Sequence, residues 1–178
     1  YQVTNNDGIP FDYGKAVLVG HELEVVFSTM YRFWSNTLGR HFYTISAADR
    51  DYVIATWPDV WIYEGPVYHA YATSYVAGLA PVYRFWSSTL RSHFYTISVE
   101  EKNHVLANYP TEVWAYEGVV FYAFPPNVAL PAGVKPVYRY WNNRDGGHFY
   151  TMSEEDRAYV AANFPHFIDE GIVFYAYE

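Results

Sequence analysis

VYRFWSSTLRSHFYTIS, residues 82–98, is the stretch on which the fold turns. VYRFW and HFYTIS are rich in aromatic and β-branched residues, and the six residues between them, SSTLRS, are of turn type. Two such runs around a short polar loop read as a β-hairpin. If the loop closes symmetrically, Trp86 faces His93, Phe85 faces Phe94 and Arg84 faces Tyr95. Side chains alternate across a strand. One face then carries Arg84, Trp86, His93 and Tyr95, and the other Tyr83, Phe85, Phe94 and Thr96. The second face reads as core and the first as an exposed polar-aromatic platform.

The same stretch occurs twice more, as MYRFWSNTLGRHFYTIS at 30–46 and VYRYWNNRDGGHFYTMS at 137–153. The platform residues recur as Arg32, Trp34, His41 and Tyr43, and as Arg139, Trp141, His148 and Tyr150. Downstream of each hairpin stands Ser46, Ser98 or Ser153, with Asp49, Glu101 or Asp156 three residues later. A serine with an acidic residue at that offset marks a helix N-terminus, because its hydroxyl accepts an otherwise unpaired backbone N–H. The spacing predicts a helix of about ten residues, ended by Pro58, Pro110 or Pro165. Val53 with Trp57, Val105 with Tyr109 and Val160 with Phe164 share one face of it at i,i+4. WIYEGPVYHAYA, WAYEGVVFYAF and FIDEGIVFYAY then return as one or two strands, kinked at the glycine and carrying Glu64, Glu117 and Glu170.

Each unit is thus strand, strand, helix, and a final strand or strand pair. One unit cannot bury its aromatic face alone, so three must associate. The expectation is one domain over 1–178, with repeats at 30–79, 80–134 and 135–178. Residues 1–29, with AVLVG and LEVVF, are expected to act as an N-terminal closing segment, supplying either a closing strand or a cover for an edge. The fold class is mainly β with one short helix per repeat, in a threefold pseudo-symmetric closed ring resembling a three-bladed propeller. A β-trefoil with helical insertions is the alternative. It is disfavoured because a trefoil unit has four strands and no helix.

The pattern YRFW … HFYT … YEG … FYA resembles a repeat family of unknown function from secreted fungal and bacterial proteins. The resemblance covers 30–178. It implies a three-repeat, secreted or extracellular module, often appended to hydrolases, with a carbohydrate- or surface-binding role.

Composition narrows the chemistry. The chain holds 178 residues, 21% of them aromatic, and carries a net charge of −8 with only 11 Lys and Arg, which argues against nucleic acid. No apolar run reaches 18 residues, so no membrane span is expected. Cysteine is absent, which removes disulfides, thiolate metal sites and cysteine nucleophiles. The histidines at 21, 69, 104 and 166 lack metal-ligand spacing. Only convergence of His41, His93 and His148 on a threefold axis would give a His₃ site. No cofactor is expected.

A tryptophan flanked by Arg, His and Tyr suits a sugar, whose C–H face stacks on an aromatic ring while its hydroxyls need donors and acceptors. The expected function is a non-catalytic, lectin-like protein binding glycans or glycoconjugates at up to three sites. The site residues would be Trp34, Trp86, Trp141, His41, His93, His148, Tyr43, Tyr95, Tyr150, Arg32, Arg84 and Arg139. The arginines have a second reading, as structural ion pairs to Glu64, Glu117 and Glu170. The first alternative is a module that binds protein or cell surface through the aromatic face. The other is a hydrolase with one asymmetric site. No catalytic motif supports the latter, and three equivalent glutamates cannot split into acid and base. Asp59, Glu112 and Asp169 remain as unique carboxylates.

Overall fold

The hairpin register follows the sequence arithmetic residue for residue. In the computed structural model, which describes residues 15–19 and 22–178, Trp86 pairs with His93, Phe85 with Phe94 and Arg84 with Tyr95. The other two hairpins repeat this pairing. The loops are shorter than expected in the first two units, because Ser35 pairs with Arg40 and Ser87 with Ser92, leaving four residues in each turn. The buried Ser35 and Ser87 hydroxyls accept the N–H of Leu38 and Leu90 (both 3.1 Å), and Asn142 Oδ1 accepts that of Asp145 (3.0 Å).

In chain order the elements are β1 (Lys15–Val19), β2 (Glu22–Ser35), β3 (Arg40–Thr44), α1 (Ala47–Thr56), β4 (Ile62–Tyr71), β5 (Ala80–Ser87), β6 (Ser92–Thr96), α2 (Val99–Asn108), β7 (Ala115–Ala123), β8 (Val134–Asn142), β9 (His148–Thr151), α3 (Glu154–Asn163) and β10 (Phe167–Tyr177). Each unit is a three-stranded antiparallel arm: β3-β2-β4, β6-β5-β7 and β9-β8-β10. The last strand of each arm meets the other two, through Tyr71–Tyr122, Tyr177–His69 and the bridge Phe124–Tyr175. β2 to β10 thereby form one open antiparallel sheet that does not close into a barrel. β1 pairs with the first half of β2, Lys15 with Val26 through Val19 with Glu22. The rest of the expected N-terminal closing segment, residues 1–14 together with 20 and 21, lies outside the described residues.

Each final strand is bulged at its glutamate. Arg84 pairs with Gly118 and Phe85 with Tyr116, so Glu117 has no partner across the ladder. Gly118 sits at φ +94 with nothing within 4 Å of a would-be Cβ, so glycine is there for its backbone angle and not for space. The bulge turns the glutamate onto the arginine face, and the first and third arms do the same at Glu64 and Glu170.

The helices begin and end where the sequence places them. Ser46, Ser98 and Ser153 accept the N–H of Asp49, Glu101 and Asp156, and Trp57, Tyr109 and Phe164 close the C-termini. Burial on their inner face is slight, resting on Val105 in α2 and Val160 in α3. Trp57 and Tyr109, expected to share that face, remain 49% and 45% exposed.

The main core is shared by all three units in layers. Met30, Val82 and Val137 form one set, Tyr43, Tyr95 and Tyr150 another, Tyr68, Phe121 and Phe174 a third, and Ala70, Ala123 and Ala176 a fourth. Smaller clusters lie under the helices, such as Phe85, Phe94 and Val105. At the loop end the three hairpins meet at one position, occupied by Arg40, Ser92 and Gly147. A Cβ on Gly147 would lie 3.0 Å from Ser92 Oγ and 3.9 Å from Arg40 Cδ. Only one long side chain fits there. Arg40 donates to the carbonyls of Leu90, Asp145 and Gly146, tying all three loops together.

Candidate functional site: the junctions between units

The face carrying Arg, Trp, His and Tyr is mostly not an exposed platform. It is the surface by which each unit meets its neighbour, and burial falls from the tyrosine outward to the tryptophan.

The tyrosines are core. The Tyr43 hydroxyl donates to Tyr150 O and accepts from Tyr150 N–H (both 2.9 Å). Tyr150 treats Tyr95 alike (3.0 and 2.8 Å), and the Tyr95 hydroxyl donates to Tyr43 O (3.2 Å). The rings pack edge to face at 5.5–6.1 Å. The expectation that Tyr43, Tyr95 and Tyr150 contact a ligand is therefore corrected. Strand alternation gave the right face but could not show that another unit covers it. Burial pushes the Tyr95 hydroxyl up to about 12.

The arginines bridge units. Arg32 Nε donates to Glu64 (2.7 Å) of its own unit and Nη1 to Asp156 (2.8 Å) of α3. Arg139 Nε donates to Glu170 (2.7 Å), while Nη1 and Nη2 hold Glu101 of α2 at 3.0 and 2.8 Å. Arg84 Nε donates to Glu117 (2.6 Å). The Arg–Glu pairs expected as structural are thus formed in all three units. What the sequence reading missed is the second carboxylate. Asp156 and Glu101 were read only as helix-start residues, and no local signal places them opposite an arginine of the next unit.

The histidines lie between. His41, His93 and His148 Nε2 stand 3.5, 3.2 and 3.6 Å from Glu64, Glu117 and Glu170. Two stack on a phenylalanine of the adjacent unit: His41 on Phe149 at 4.7 Å and His148 on Phe94 at 4.9 Å. Burial, followed by the neighbouring arginine, lowers all three to about 3, so they are neutral at physiological pH. They do not meet on the axis, where the tyrosines stand. Among the described residues no group of three His, Cys, Asp or Glu could hold a metal ion.

The tryptophans sit at the mouths of the junctions, each stacked on its histidine at 4.8–4.9 Å and partly exposed. At the junction of the first and third units this opens into a cleft of about 610 Å³. One wall carries Arg32, Trp34, Asn36, His41 and Glu64, and the other Arg144, Asp145, Asp156, Tyr159, Phe164, His166 and Phe167. Trp34 Nε1 donates to Asn36 Oδ1 (2.7 Å), fixing the indole. Asp59, Glu112 and Asp169 do not line this cleft. Four predicted residues, Arg32, Trp34, His41 and Glu64, are brought together here. The opposite wall comes from the β8–β9 loop, α3 and the start of β10, and the sequence reading proposed none of its residues as ligand contacts.

A family model described as a domain of unknown function (DUF5648) matches residues 13–124 and again 108–178. The chain belongs to this family. Its two matches to one chain agree with the internal repetition, and the second includes α3 and Glu170 from one wall and ion pair of the junctions. No curated protein and no solved structure matches the chain.

Proposed function

We propose that the protein is a non-catalytic, lectin-like carbohydrate-binding protein whose sites lie at the junctions between units. The observation that supports this best is the cleft of about 610 Å³ beside Trp34. Such a volume suits a small ligand, and the walls combine aromatic faces with a few fixed polar groups. Trp34 offers a ring oriented by Asn36. Glu64 and Arg32 supply an acceptor and donors at its edge. Glycans or glycoconjugates on an extracellular surface are the partners this reading implies, as the sequence pattern's resemblance to a repeat family of secreted proteins would also imply. The three arms are read as blades about the tyrosine axis, a three-bladed ring and not a trefoil.

Isothermal calorimetry against a panel of free mono- and disaccharides tests the reading, with a glycan array to select the panel. Trp34→Ala should abolish binding at this junction while leaving the melting temperature within a few degrees. A wild-type protein that binds no glycan on the array would overturn it. An interaction module is the second reading, favoured by the exposed Tyr52 (62%) on α1 and Trp57 (49%) at its C-cap. A protein partner whose binding is lost in Tyr52→Ala but kept in Trp34→Ala would move that reading ahead.

A further inference from the structure

The three junctions are built from the same parts, but one of them lacks a part. Arg139 shows the complete arrangement: Nε on the glutamate of its own bulge, and the two Nη groups gripping Glu101 of the adjacent helix. Arg32 repeats it with Asp156. The corresponding partner for Arg84 is Asp49 on α1. That contact is not made: among the described residues Arg84 has an ion pair only through Nε, to Glu117. The whole junction of the first and second units is set wider. His93 lies 6.0 Å from Phe42, against 4.7 and 4.9 Å for its counterparts. Arg32 and Arg139 lie over Phe149 and Phe94 at 5.3 and 5.0 Å, and Arg84 has no such contact with Phe42. The Arg84 side chain is 27% exposed, where Arg32 and Arg139 are 11% and 8%. Side-chain length does not explain the gap, since Asp156 is also an aspartate and reaches Arg32.

We propose that this junction is a carboxylate-binding site, in which the Nη edge of Arg84 holds a ligand carboxylate where Asp156 and Glu101 sit in the sister junctions. A guanidinium fork matches the two oxygens of a carboxylate, and a charge-assisted pair of this kind is about twice as strong as a neutral hydrogen bond. The surroundings leave part of the fork open. Glu117 occupies Nε alone, burial keeps His93 neutral, and the Tyr95 hydroxyl, which donates to Tyr43 O, accepts at most one of the guanidinium N–H groups. Asp49 stands opposite with its carboxylate on the Thr44 hydroxyl at 3.2 Å. The ligand is a small molecule or chain end bearing a carboxylate, either an acidic sugar or a peptide terminus. The site is independent of the Trp34 cleft, which lies at a different junction.

The test follows the Nε–Hε resonance of Arg84 in ¹⁵N-labelled full-length protein, assigned with Arg84→Lys. Sodium acetate, sodium D-glucuronate and N-acetyl-L-alanine are titrated separately, with methyl D-glucuronate ester as the uncharged control. A saturable shift with a carboxylate and none with the ester is expected. Glucuronate binding tighter than N-acetylalanine would assign the acidic sugar, and the reverse order the peptide terminus. Asp49→Glu supplies the carboxylate from within, as Glu101 does for Arg139. It should move the resonance toward its bound position without ligand and weaken the tightest probe by about tenfold or more. No shift with any carboxylate overturns the proposal. So does an Asp49→Asn protein whose free Arg84 resonance differs from wild type as much as the ligand-bound one, for Asp49 would then already fill the fork. Trp34→Ala should leave these titrations unchanged, so failure here and failure of sugar binding at the cleft are separate results.

Discussion

The arginines show how one residue type at one register position carries different weight in three settings. Arg139 is nearly buried and holds two carboxylates, Glu170 and Glu101. Its removal strands both, and breaking a buried ion pair costs about 3–5 kcal/mol. Arg84 holds one carboxylate and is a quarter exposed, so solvent screens its loss to about 1 kcal/mol. Arg139→Ala should therefore lower the melting temperature several-fold more than Arg84→Ala, and equal shifts in thermal melts would contradict the bridging role. The histidines set the acid limit. Their folded-state value of about 3 lies below that of an unfolded histidine, near 6.5. The unfolded chain thus binds more protons as pH falls through 6.5 toward 3, and stability falls with it, by about 1.4 kcal/mol per pH unit for each histidine. Urea unfolding at pH 7.5, 6 and 5, above the range where most carboxylates titrate, should show this loss. It should be smaller in His93→Gln.

At the scale of the element, the turn and the bulge decide what the strands can present. The fourth turn residue is left-handed in every hairpin: Gly39 at φ +63, Gly146 at φ +74, and Arg91 at φ +49. A side chain in that region is strained, and glycine relieves the strain at an entropic cost in the unfolded chain. Arg91→Gly should give a net gain of about 0.5 kcal/mol, read as a small rise in the urea midpoint with unchanged slope. A loss would mean that the Arg91 side chain contributes more than its backbone costs. The hairpins, helix starts, helix ends and glycine kinks were all legible, because each depends on residues close in sequence. The four-residue turns of the first two hairpins were not, since Ser35 and Ser87 look like loop residues and act from buried positions inside the hairpin.

For the whole molecule, the shared layers of the core make the three units interdependent. Val137, Tyr150, Met152, Phe174 and Ala176 all come from the third unit and pack in the main cluster with residues of the other two. Deleting 136–178 removes them and also frees Arg32 from Asp156. The remaining chain should be insoluble or lack a cooperative transition by calorimetry, and a sharp two-state melt of that truncation would show that two units suffice. The loop hub gives a milder version of the same coupling. Gly147→Ala places a Cβ against Ser92 Oγ at a backbone angle of φ +92, and should cost about 1–3 kcal/mol. Pairing it with Ser92→Gly relieves the clash but not the angle, so only part of the stability should return.

The sequence by itself determined the unit: its hairpin register, its helix with a serine cap, its bulged last strand, and the Arg–Glu pair within it. These follow from alternation, capping and local backbone preference, which act over a few residues and repeat three times. The tertiary structure alone decided what the polar-aromatic face is for. Association covers it, sends the tyrosines into the core and leaves the tryptophans at the mouths of the junctions. It also broke the symmetry. Three copies of one position converge where a single long side chain has room, so Arg40, Ser92 and Gly147 had to differ, and the junction at Arg84 stands wider than its sisters. Space at a shared axis is a property of the assembled units, and no reading of one unit contains it.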